Sequence, residues 1–133
     1  MSRPAVLLPD VETMCVEFLK ANAAVDAFVS GRVYGELPPQ VDFPAIAVLL
    51  VSDNVPIEFR LTGTWVQIDC FGETRLEART LARTAHAEMV AWSGAVAGGV
   101  ISDVSTIIGV RHIGEPVDNR PRYQFAVRIH AHP

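Results

Sequence analysis

The chain has 133 residues, half of them apolar and a fifth charged; at roughly 150 residues per domain this predicts a single domain, 1–133, with residues 1–9 as an N-terminal arm. That balance excludes intrinsic disorder, which requires low hydrophobicity and high net charge. Fifteen acids against eleven bases give a net charge of −4, which speaks against a dedicated nucleic-acid binder, whose affinity rests on neutralising phosphates.

Asp10 opens the first helix, its carboxylate placed to accept from orphan N–H groups of the first turn. Val11, Met14, Cys15, Phe18 and Leu19 then recur at helical spacing as one apolar stripe. Asn22 weakens the helix, and a short second turn, Ala24 to Val29, ends at Ser30-Gly31, where glycine supplies the positive φ of a helix terminus. Arg32 to Leu37 reads as a short strand stopped by Pro38-Pro39. The continuous apolar run Ala45 to Val51 suits a strand covered on both faces. Asp53 to Leu61 is too long for a tight turn, and Val55, Ile57 and Phe59 are too apolar for a solvated loop. It reads as a projecting loop or an extended, partly paired arm.

In Thr64 to Phe71, Val66, Ile68 and Cys70 point one way while Trp65, Gln67, Asp69 and Phe71 point the other. After Gly72, Thr74-Arg75-Leu76-Glu77 is a capping box. The helix it opens runs to about Trp92, burying Ala78, Leu81, Ala82, Ala85, Met89 and Trp92. Arg75, Arg79 and Arg83 follow one another every four residues along an exposed stripe. Ser93 to Gly99 reads as a connector. Thr106 to Ile113 and the alternating Tyr123 to Ile129 are the last strands. The order α-β-β-β-α-β-β, with a minor helical turn after the first helix, predicts an α+β fold. Its core is one mostly antiparallel sheet of about five strands with two main helices packed on it.

No catalytic, cofactor or metal site emerges. The sequence lacks a phosphate loop, a nucleophile elbow, Cys-x-x-Cys and His-Glu-x-x-His. His130 and His132 share a strand face but fall short of the four ligands of a structural zinc; they read as solvated edge-strand residues. His86 and Glu88 lie about 200° apart on their helix and cannot cooperate. Cys70 would need His112 as its base, yet it falls on the apolar strand face, where burial makes a thiol inert. Cys15 and Cys70 both read as buried small hydrophobes of an intracellular protein, with one bridge between them left open. The apolar run Ala45 to Val51 is far short of the ~20 residues of a membrane span, and Ala5 to Leu8 is too short for a signal peptide, so a soluble protein is expected.

What remains is surface. The Arg75, Arg79 and Arg83 stripe reads as a solvated helix face, an interface with acids of another subunit, or a phosphate contact. Trp65, Phe71 and the 53–61 arm leave apolar surface that helices or a partner must cover. Within that arm Ile57, Glu58, Phe59 and Arg60 are the candidate contact residues.

The order of landmarks resembles the tail-terminator (tail-completion) proteins of long-tailed bacteriophages, over about residues 10–132. The landmarks are Gly31-Arg32-Val33-Tyr34, then Phe43-Pro44, then Val66-Gln67-Ile68-Asp69 feeding an Arg/Ala helix, then the late strand Tyr123 to Ile129. The resemblance implies a structural virion protein without enzymatic activity or cofactor. It implies a hexameric ring in the neck region, on the head-proximal end of the tail tube, assembled in the bacterial host cytoplasm. Its partners would be further copies of itself, the tube protein and the head–tail connector or stopper, with DNA passing through the lumen unbound and no membrane involved. A head–tail adaptor or stopper is the alternative of the same class; a small ligand-binding α+β domain is the alternative of another.

Overall fold

A computed structural model describes residues 8–53, 56–57, 60–61, 63–96, 98–114 and 120–133. Asp10 caps α1 (Val11–Ala21) as expected, accepting from the Thr13 backbone N–H at 3.2 Å and from the Thr13 hydroxyl at 2.8 Å. Asn22 does more than weaken this helix. It is at once the C-cap of α1 and the N-cap of α2 (Ala23–Val29), where its side chain accepts from Val25 N–H at 3.1 Å. Helix α2 closes on Ser30 and Gly31, both in the left-handed region, and the Asp26 carboxylate accepts from Gly31 N–H at 2.7 Å.

The strand expected over Arg32 to Leu37 shrinks to β1 (Val33–Tyr34), which pairs parallel with β2 (Ala45–Ser52). Arg32 fastens the two, donating from Nε to Pro44 O and accepting from Ile46 N–H. The 53–61 arm contains a minimal antiparallel pair, β3 (Pro56–Ile57) with β4 (Arg60–Leu61), which agrees with a partly paired arm. β5 (Thr64–Phe71) has the expected alternation, and α3 (Arg75–Val90) stops two residues short of Trp92. Thr74 accepts from Glu77 N–H as a capping box requires, but the Glu77 carboxylate reaches one residue further back, to Glu73 N–H.

The last three strands also depart from expectation. Gly94–Val96, read as connector, is a strand, β6, and β7 (Gly99–Ile113) begins well before Thr106. The last strand, β8 (Arg122–His132), is also longer than expected. The main sheet therefore has six strands, in the order β1-β2-β5-β8-β7-β6, rather than about five. All its pairings are antiparallel except β1 with β2.

All three described helices pack on one sheet face, α1 over β1 and β2, α3 over β5, β8 and β7, with α2 bridging to α3. Their buried side chains and those of the sheet form a single core, including Leu19, Val25, Ile46, Ile68, Leu81, Phe125 and Ile129. Gly72 permits the close turn from β5 into α3: a Cβ there would lie 2.6 Å from the Ala78 backbone nitrogen.

The opposite sheet face carries no helix among the described residues. Ala45, Ile46 and Val48 of β2 are buried, but Leu49 and Val51 are 50% and 45% exposed, so this strand is not covered on both faces as its apolar run suggests. Phe71 on the same face is covered from within the chain. Phe43 packs against it with ring centroids 5.8 Å apart, and the guanidinium of Arg122 lies over it. A polar row crosses the middle of this face. Arg111 donates to Gln124 at 3.0 Å, Gln124 donates to Asp69 at 2.8 Å, and Gln67 reaches the other Asp69 oxygen at 3.5 Å.

Candidate functional site

The chemistry-bearing side chains take structural roles. Cys15 and Cys70 are free thiols within the core, and burial pushes both well above the ordinary thiol range. Each is therefore protonated and unreactive. His86 bonds the Thr106 hydroxyl at 2.8 Å and meets the Phe125 ring edge-on. His130 and His132 do not lie on an edge strand: β8 is interior, between β5 and β7. His132 instead bonds the Ser102 hydroxyl at 3.1 Å, and His130 approaches Asp103 at 3.9 Å. Among the described residues no group of three or more His, Cys, Asp or Glu could hold a metal, and no helix is long and apolar enough to cross a membrane.

The candidate contact residues fall on two surfaces. Arg75, Arg79 and Arg83 are all exposed along α3, as their spacing predicts. Ile57 and Arg60 are register partners in the arm, whereas Glu58 and Phe59 lie outside the described residues. The structure does not bring these groups together. The arm leads into β5 at Thr64 and α3 follows the other end of that strand, so the two are attached at opposite ends of β5.

The arginines sit in a recess that no single segment reveals. Arg79 and Arg83 from α3, with His86, face Val110 of β7 and Tyr123 of β8 around a space of about 470 Å³. Neither arginine has a hydrogen-bond or ion-pair partner among the described residues. Leu76, one turn before Arg79, is 62% exposed and in line with both. A second recess, apolar, of about 550 Å³, lies between α1 and Trp92. Met14, Phe18 and Val96 line it, and Phe18 stacks on Trp92 at 4.3 Å. The spacing of Phe18 and Trp92 marks each as facing inward, but nothing in one helix's period tells that two such stripes meet at a rim. Neither recess gathers the convergent polar groups and reactive side chain that catalysis requires.

The sequence matches the profile of the family described as Tail completion protein gp17 over residues 16–129. Comparison with curated proteins finds no match. Among solved structures, the fold is similar to a chain from the virion of a native gene transfer agent (GTA) particle, with a TM-score of 0.68 and 14% identity. That likeness covers 90% of this chain and 92% of the other.

Proposed function

Because the chain belongs to the Tail completion protein gp17 family, we propose that it terminates the phage tail. Copies of it form a hexameric ring on the head-proximal end of the tail tube, stop the tube protein from adding further, and present a surface to the head–tail connector. A member of this family is a tail-associated structural protein of the virion, and its work is contact rather than catalysis. The family match carries the reading, because it runs from within α1 into β8 and so reaches every strand of the main sheet.

The two separated surfaces support it. A ring subunit must touch its neighbours and also what lies above or below it, and one surface per task fits that demand. The α3 arginines serve subunit pairing, and the arm residues Ile57, Glu58, Phe59 and Arg60 serve subunit or tube contact. DNA crosses the lumen without being held, which a net charge of −4 favours over a basic lining.

Sedimentation of the purified 14.5 kDa chain, alone and with tube protein, tests the ring. A species at the mass of a hexamer is expected; a monomer under both conditions contradicts the reading. Phe59→Asp is expected to abolish assembly while the monomer keeps its native circular dichroism. Normal rings from that variant would remove the arm from the interface.

A further inference from the structure

The sheet has two outer sides, each with exposed charges of its own; on the first, Asp42 shares a recess with Arg120. On the β1–β2 side, the segment that joins these strands carries Glu36 and Asp42, both exposed and neither with a partner among the described residues. Leu49 and Val51, the exposed apolar residues of β2, lie on the same side of the sheet. On the β7 side are Arg79 and Arg83, equally exposed and unpaired, with exposed Leu76 beside them and Val110 and Tyr123 flooring the recess. Strand β5 separates the two sides.

The backbone differs in the same sense. On the β2 side the outer edge is occupied: β1 pairs with its first half, and the Glu12 carboxylate accepts from Leu50 N–H at 2.9 Å further along. On the β7 side, β6 pairs only with Gly99 to Ile101, and no described strand lies outside the remainder of β7. Three register shifts along β7 break up that open edge, which discourages simple strand addition. Side-chain recognition, rather than sheet extension, is what this side offers.

We infer that these are the two halves of one heterologous contact: the Glu36 and Asp42 side of one copy seats on the Arg79 and Arg83 recess of the next. The occupant is a second copy of this chain, because the same molecule carries both complements: two exposed acids on one side and two exposed arginines on the other. Different patches on opposite sides give a head-to-tail contact, which closes into a ring when the rotation allows. Exposed ion pairs set orientation and partner choice more than affinity. Leu76, Val110 and Tyr123 on one side, with Leu49 and Val51 on the other, supply the apolar contact. The inference rests on the ring reading above but fixes which sides meet.

Charge reversal tests it. Arg79→Glu with Arg83→Glu makes both sides acidic, and Glu36→Arg with Asp42→Arg makes both sides basic. Each double variant alone is expected to lose the ring species in mass photometry while remaining folded by circular dichroism. Mixed in equal amounts, they should regain it, because every contact in an alternating ring again joins opposite charges. The fourfold variant should assemble by itself, and raising the salt concentration should weaken the wild-type ring. Rings that persist in either double variant, or a mixture that stays monomeric, overturn the inference while leaving the ring reading intact. A wild-type chain that never assembles, with or without tube protein, overturns both.

Discussion

Burial decides what single residues of this chain do. Cys15 and Cys70 carry thiols in the environment of core aliphatics. Both thiols are expected to resist a thiol reagent at pH 8 until the protein is unfolded, and then to react fully. The same burial has a consequence for pH. The folded state holds each proton above the ordinary thiol value of 9.0, where the unfolded chain releases it. Stability from these groups is therefore complete below that value and falls as pH rises past it, by up to about 1.4 kcal/mol per pH unit for each thiol. Urea unfolding at two pH values on either side, compared with a Cys15→Ala and Cys70→Ala variant, measures it; an identical pH slope in the variant would refute it. On the uncovered sheet face, Asp69→Ala leaves the buried Gln124 amide without its acceptor. A loss of about 1–3 kcal/mol follows in chemical denaturation. Gly72→Ala forces a methyl against the first turn of α3 and is expected to cost about 1–3 kcal/mol through overpacking.

Elements were legible in the sequence wherever one period governed them. β5 and the centre of β8 alternate with period two, and α1 and α3 repeat at helical spacing, so their core faces follow directly from residue order. The first half of β7 does not read as a strand for an identifiable reason. A register shift between Ile101 and Asp103 takes the buried pair Ile101 and Val104 out of alternation, and Gly98 and Gly99 look like turn residues. Gly99 is needed because the β8 carbonyl of His132 approaches too closely for any side chain. Parallel pairing of β1 was hidden too, since two residues show no period. The Arg stripe was visible from its spacing, but its recess was not, because Val110 and Tyr123 come from other strands. Helix α1 also guards the β2 edge through Glu12. Glu12→Ala is expected to destabilise by about 1–3 kcal/mol by stranding the half-buried Leu50 N–H, whereas Glu12→Gln keeps an acceptor and costs less. Hydrogen exchange at Leu50 separates the two: faster exchange in the alanine variant, near-native in glutamine. Equal exchange in both would show that the carboxylate does not hold this edge.

At the scale of the whole molecule, the exposed apolar and charged side chains acquire positions. Phe71 is covered by Phe43, so it does not demand a partner; the exposed large aliphatics among the described residues are Leu49, Val51, Leu76, Val90 and Val100. Glu12, Glu17 and Asp26 lie on α1 and α2 and Glu36 and Asp42 on the β1–β2 connection, while Arg75, Arg79 and Arg83 face outward from α3. Under the proposed function these surfaces meet more than one neighbour. The central claim is the place those neighbours occupy, at the head-proximal end of a tail. Electron microscopy of gold-labelled chain in a lysate holding both free tails and tail-less heads measures this directly. The account predicts label at one end of the headless tails, as a ring closing the tube. Label on tail-less heads with none on free tails would contradict it and assign the chain to the head side of the joint.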